Sequence, residues 1–327
     1  MNELPTSQSE QMMPYIKQKK KHGAARIIAL AATVVIIAAI AVTLSRGDGG
    51  NFFGKLFGGA ATAESSSTEQ TSETTKSIYD YDPSSVPAGE HAIIPADLSA
   101  INQNAAFIGG ENVSTETAEL SPIKDGKVHV LLINTHPYES YQPTAAASYG
   151  DGFSATGEEY SVKRIAEAAV IKLVSLGIGA EYLDTGVTSG MGSYSAARKK
   201  VTDYLSAHPE IMYVIDIHRG VTTDSSQNLL RPIAEKNGTV YAQMGFSVGK
   251  TSGKYDETLA VTNAFVREMT ADFPYLLMPT EIASSSLNQD IPATVLTVDI
   301  GTCANSYGEA ENTAKYLAAT MARLLLK

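Results

Sequence analysis

VHVLLINTHPYESY, residues 128–141, decides the fold class and raises the functional question in one stretch. Val128, Val130, Leu131, Leu132 and Ile133 form an apolar run of the kind that suits a strand buried on both faces. Pro137 disfavours the α conformation at His136. The extended geometry therefore persists through His136 before the chain turns at Tyr138, Glu139 and Tyr141. YVIDIHRG, residues 213–220, repeats the plan, with an apolar run ending in His218 and Arg219. If the two strands are parallel and adjacent, both histidines stand on the same rim of one sheet.

Outward from these two stretches, strands and helices alternate. Enrichment in β-branched residues and boundary glycines predicts strands at 127–134, 180–183, 213–218, 239–248 and 294–300. Helical spacing predicts helices at 161–175, 193–206, 257–271 and 309–326, the first carrying apolar Val162, Ile165, Ala166, Ala169 and Leu173 on one face. Such alternation implies an α/β domain with a largely parallel central sheet flanked by helices. In such sheets ligands sit beyond the carboxyl ends of the strands, which is where His136 and His218 fall.

The first 120 residues read differently. Residues 1–25 form a basic tail with Lys17, Lys19, Lys20 and Lys21, and Arg26 follows it. The run IIALAATVVIIAAIAVTL, residues 27–44, has no charge, and its length nearly matches a hydrocarbon core of about 30 Å at about 1.5 Å per residue. We expect a single-pass membrane anchor at 26–46. The basic residues before it place the N-terminus in the cytoplasm and the rest of the chain outside. Residues 47–120 turn to Gly, Ser, Thr and Glu and read as a disordered extracytoplasmic linker. The remaining 121–327 read as the globular domain, a catalytic or binding unit.

Charge and cysteine usage exclude several functions. Six of the 25 Lys and Arg but only two of the 35 Asp and Glu lie in the first 46 residues, so the remainder carries a net charge of −14. That sign repels phosphate backbones, and no nucleic-acid partner is expected. Cys303 is the sole cysteine, so neither an internal disulfide nor a cysteine-based zinc site can form. Gly245 to Gly249 matches the G-x-S-x-G elbow of serine hydrolases, but no histidine follows to complete a triad. The GKT at 249–251 lacks the first glycine of a phosphate loop, since residue 244 is Met244.

Two imidazoles and a carboxylate with an open fourth position are the donor set of a catalytic zinc, which activates water near neutral pH. His136, His218 and Glu139 supply that set. The other histidines fit it poorly. His22 precedes the apolar run, His91 lies in the linker, His129 alternates within its strand and His208 ends a helix.

At this point the residues resemble a known family. THPYESY (135–141), YSVKRIAEAAVIKL (160–173), GSYSAAR (192–198), VIDIHRG (214–220), NGTVYAQMGFSVG (237–249), NQD (288–290) and NSYGEAENTAKYLA (305–318) occur in the order of the stage II sporulation protein P family. These are membrane-anchored cell-wall amidases related to the zinc N-acetylmuramoyl-L-alanine amidases. The resemblance implies an amidase-like fold and Zn2+ as cofactor. It also implies hydrolysis of the amide between N-acetylmuramic acid and L-Ala of the peptidoglycan stem peptide, and of peptide cross-links as an additional activity. By position His136 and His218 are the implied zinc ligands, with Glu139 as third ligand and Glu159, just before the first helix, as its competitor. Asp299 is the implied general base, Glu309 on the following helix its fallback, and Arg219 the group that stabilises the oxyanion. A partner resembling the lytic transglycosylase stage II sporulation protein D is implied as well.

Three positions depart from the family. Asp299 stands where a Glu is usual, Gly220 replaces the acid of HRD, and Asn134 replaces the first His of HTH. These departures support an alternative reading, a membrane-tethered wall-binding or scaffold protein with a weakened site.

Overall fold

The structure, a computed structural model of the chain, describes residues 91–99, 107–108, 113–123, 125–145, 148–149, 158–187 and 192–327. The expected basic tail (1–25) and anchor (26–46) lie outside the described residues. Among those described, no helix is long and apolar enough to cross a membrane.

In chain order the strands are β1 (His91–Ala96), β2 (Phe107–Ile108), β3 (Val128–Ile133), β4 (Ser148–Tyr149), β5 (Gly179–Tyr182) and β6 (Tyr213–Gly220). They continue with β7 (Leu229–Lys236), β8 (Thr239–Ala242), β9 (Met244–Gly249), β10 (Thr280–Ala283) and β11 (Thr294–Thr302). The helices are α1 (Val162–Ser175), α2 (Ser193–Ala207), α3 (Tyr255–Asp272) and α4 (Tyr307–Leu325). A seven-stranded sheet has the order β2-β10-β9-β11-β6-β3-β5. Its neighbours all run parallel except β9 and β11, so the expected largely parallel sheet with flanking helices is what forms.

The strand alternation sends side chains to two different cores. Val130, Leu132, Ile215, Ile217, Leu296 and Val298 pack against α1, α3 and α4 on one face. Leu131, Ile133, Val214 and Val295 pack on the other, under Val201 and Leu205 of α2. Each fully buried aliphatic side chain contributes about 1.5–3 kcal/mol of transfer free energy. Among the described residues, the apolar cluster on the α2 face ends short of the strand ends. There the same alternation that buries Val214 presents Asp216 and His218, and that which buries Val295 presents Thr297 and Asp299. The change from apolar to buried polar side chains at the carboxyl end of one face is what marks the place for a site.

Two expectations need correction. The strand expected at 239–248 is two strands in two sheets, with the break at buried Gln243. Its N–H donates to the Pro232 carbonyl (3.0 Å) and its side chain accepts from the Leu98 N–H (2.7 Å), so the chain crosses from one sheet to the other there. The second sheet, β4-β1-β7-β8, was not among the expectations, and its strand β7 contains Pro232, a residue that weakens the sequence signal of a strand.

The expected linker, 47–120, also reaches too far. β1 pairs with β7 from Ile93↔Leu229 to Ala96↔Pro232, and Ile93 is buried with Leu229, Cys303 and Ala304. Further on, the Ala118 N–H donates to the Ala260 carbonyl, and Asn263 Nδ2 donates to the carbonyls of Ser114 and Glu116. Short apolar pairs such as Ile93-Ile94 are too brief to register against a polar background, but tertiary partners suffice to order them.

Candidate metal centre

β3 and β6 are parallel neighbours with Ile133 opposite Asp216, so His136 and His218 emerge side by side as the sequence predicts. Their ring centroids lie 5.0 Å apart. Beyond β3 the chain turns, with the Glu139 N–H donating to the His136 carbonyl (3.1 Å), and this turn returns Glu139 to the histidines. The loop is then fastened on several sides. The Val162 N–H donates to the Glu139 carbonyl, the Tyr141 N–H to the Tyr160 carbonyl, and the Tyr141 hydroxyl to the Ile300 carbonyl.

His136, Glu139 and His218 each offer a ligand atom within 4.8 Å of the others. His136 Nδ1 is 3.6 Å from Glu139 Oε1, and His218 Nδ1 is 3.9 Å from Glu139 Oε2. These separations exceed a good hydrogen bond and suit atoms that share an ion, since bonds of about 2.0–2.2 Å at tetrahedral angles set ligands about 3.3–3.5 Å apart. Two imidazoles with one carboxylate are also the donors zinc takes in open sites, so the residues fit the metal the resemblance implies.

Glu159 is placed differently. It is exposed on a 3-10 turn, Glu158–Tyr160, and outside the donor group, so Glu139 is the carboxylate that meets both histidines.

The electrostatics are those of a buried, mixed-charge cluster. Burial raises the Glu139 carboxyl to about 7, while His218, Arg219 and the Arg219 N–H (3.1 Å) pull it back down. Burial and the charge of His218 depress His136 to about 3, which leaves it neutral and ready to donate a lone pair. Burial opposes a charge on His218, but Asp216, Glu139 and Asp299 outweigh it and raise this histidine to about 9.

Asp299 sits in register with His218 across β11 and β6, and with Gly245 on β9. It is buried, on the same sheet face as His218, and lines a pocket of about 80 Å³ walled by Leu98, Ile108, Phe246, Met278 and Pro279. The structure thus brings Asp299 beside the donor group.

Arg219 and Glu309 are elsewhere engaged. Arg219 alternates to the opposite face of β6 from His218, and its Nε donates to the Ser140 carbonyl (2.7 Å), so it braces the loop that carries Glu139. Glu309 closes a capping box at the start of α4, accepting from the Ser306 N–H while its own N–H donates to Ser306 Oγ. Its other oxygen faces Arg231 Nε at 3.6 Å. These contacts explain the pattern S-x-x-E at 306–309 as a helix start.

Sequence reasoning missed two neighbours. Tyr194, at the start of α2, lies edge-on to His136 with ring centroids 5.4 Å apart and stacks on His218 at 6.2 Å. Asp216, two residues before His218, lies 3.1 Å from His218 Nε2. The D-x-H spacing on one strand face was a readable signal for it. Cys303 is buried, which pushes its thiol up to about 11 and leaves it inert as a nucleophile.

Comparison with known proteins adds the following. A family model described as Stage II sporulation protein P (SpoIIP) matches residues 57–322. The stage II sporulation protein P of Bacillus subtilis (strain 168) is 27% identical over 228 residues, which cover 64% of this chain and 55% of that protein. The chain thus spans about half the length of that relative. Among solved structures, the CwlD amidase from Clostridioides difficile in complex with the GerS lipoprotein is similar over 60% of this chain and 98% of that one, with 13% identity and a TM-score of 0.34. The apo N-acetylmuramyl-L-alanine amidase Ami1 from Mycobacterium abscessus is similar over 61% and 99%, with 10% identity and a TM-score of 0.33.

Proposed function

Because the chain belongs to the stage II sporulation protein P family, we propose that it is a peptidoglycan hydrolase of sporulation. On this reading it cleaves the amide between N-acetylmuramic acid and L-Ala of the stem peptide. The observation that carries the proposal is the convergence of His136, Glu139 and His218 at the carboxyl end of β3 and β6. These three would hold zinc, which when bound supplies Lewis acidity toward the amide carbonyl and toward the attacking water.

The chain's own residues supply the rest. Asp299, in register with His218, is the base that takes a proton from water and returns it to the leaving amine of L-Ala. The apolar pocket at its side receives uncharged parts of the substrate and excludes bulk water. Tyr194 covers the rings of both histidines. Arg219 acts indirectly, by holding the Glu139 loop.

The same reading places the chain in the cell membrane through the apolar run at 27–44, with the enzyme domain outside. It also gives the chain a glycan-cleaving partner of the stage II sporulation protein D kind. Digestion of purified cell wall by the full chain, with mass spectrometry of the products, tests it. Release of stem peptides with a free L-Ala amine is expected. Wall binding without any release, even on glycan pre-trimmed by a lytic transglycosylase, would favour the scaffold reading that the shorter Asp299 side chain suggests.

A further inference from the structure

We infer that Asp216 is a positioning residue for the metal centre, fixing Nδ1 of His218 as the nitrogen turned toward Glu139 and His136. Through Thr135 it also sets the strand end that carries His136. The inference rests on the reading of His136, Glu139 and His218 as metal donors and adds to it the orientation of the rings.

Asp216 is 1% exposed and lies on the same face of β6 as His218, two residues earlier. Its Oδ1 accepts from the Thr135 N–H (2.8 Å), and its Oδ2 accepts from the Thr135 hydroxyl (2.6 Å). That same Oδ2 is 3.1 Å from His218 Nε2. An ionised carboxylate only accepts hydrogen bonds, and a neutral imidazole carries one N–H. Oδ2 does not meet Nε2 in an aligned hydrogen bond, but its negative charge at 3.1 Å favours the proton of neutral His218 on Nε2, which leaves the lone pair on Nδ1, the nitrogen 3.9 Å from Glu139 Oε2.

Thr135 immediately precedes His136, so the two hydrogen bonds from Thr135 to Asp216 pin the backbone from which His136 departs. One buried carboxylate thereby sets one donor directly and the other through its neighbour. Asn134 supports the same junction, with its Nδ2 donating to the Ile217 carbonyl at 2.6 Å. Tyr194 also packs on His218, with the rings 16° from parallel. An aromatic face does not distinguish the two ring nitrogens, and that selection falls to Asp216.

The test uses the full chain in detergent micelles, labelled with 15N-histidine and loaded with 113Cd2+. We expect one-bond coupling from cadmium to Nδ1 of His218, with Nε2 retaining its N–H. Coupling to Nε2 overturns the inference and leaves the metal reading intact, whereas a chain that takes up no cadmium overturns both.

Asp216→Asn gives a second readout. With Oδ1 of the new amide still accepting from the Thr135 N–H, its NH2 faces Nε2, shifts the ring proton to Nδ1 and blocks the donor. Zinc affinity, measured by competition with a chromophoric chelator, should fall about 10- to 100-fold, the usual cost of losing such a partner. Thr135→Ser, which keeps the hydroxyl, should stay near the parent affinity. If Asp216→Asn folds and binds zinc as tightly as the parent, the inference fails. If that variant does not fold, the cadmium coupling in the unsubstituted chain still decides.

Discussion

Raising the pH from 6.5 to 9 should weaken the metal-free chain, and His218 is the cause. Its folded value is about 9 against 6.5 for an unperturbed histidine, so between these limits the folded state holds a proton that the unfolded state has lost. Stability from this group is full below pH 6.5 and disappears as the pH rises through 9. A gap of about 2.5 units at about 1.36 kcal/mol each sets a ceiling of about 3 kcal/mol. Glu139, raised from 4.5 to about 7, acts in the same direction but in the window between those values. His136, depressed from 6.5 to about 3, acts in the opposite direction and is finished by pH 6.5. Above pH 7, therefore, His218 alone of the three still titrates. Urea midpoints of the EDTA-treated chain at pH 7, 8 and 9, followed by circular dichroism, should decline, and saturating zinc should flatten the decline because the metal displaces the proton. Constant midpoints across this range, or an equal decline in His218→Gln, would refute the reasoning.

Other substitutions separate roles that the sequence left open. Asp299→Asn should retain zinc and fold while lowering amidase turnover by about 10²- to 10⁴-fold, and Asp299→Glu should keep or raise the parent rate; wall digestion kinetics decide. Glu309→Ala should lower the urea midpoint through loss of its half of the α4 capping box, with zinc affinity unchanged. A variant of normal stability but without turnover would make Glu309 the base after all. Glu139→Gln should weaken zinc binding in a chelator competition and Glu159→Gln should not; the reverse ranking would transfer the ligand role to Glu159.

Much of the site was legible because periodicity and strand ends carry it. VHVLLIN and YVIDI announce buried strands, and parallel neighbours must place His136 and His218 on one rim. The Glu139 turn follows from Pro137 and three residues of chain. What stayed hidden depends on partners distant in sequence. Arg219 reads as a free cation until the Ser140 carbonyl is seen beside it, 79 residues earlier. Glu309 reads as an available acid because a capping box and a catalytic carboxylate look alike in one dimension. The second sheet escaped notice because β1 and β7 pair across 136 residues, Ile93 to Leu229, and neither stretch by itself points to the other. Asp216 lay in plain view two residues before His218, where a strand's alternation makes i and i+2 neighbours on one face.

The central claim, that His136, Glu139 and His218 form one metal centre, is tested most directly by metal content. The full chain, purified and dialysed against zinc at neutral pH, is measured by inductively coupled plasma mass spectrometry beside the His136→Ala/His218→Ala double variant. The account predicts about one zinc per parent chain, as a single open tetrahedral site requires, and close to none in a double variant whose circular dichroism spectrum matches the parent. Equal zinc in both would contradict it.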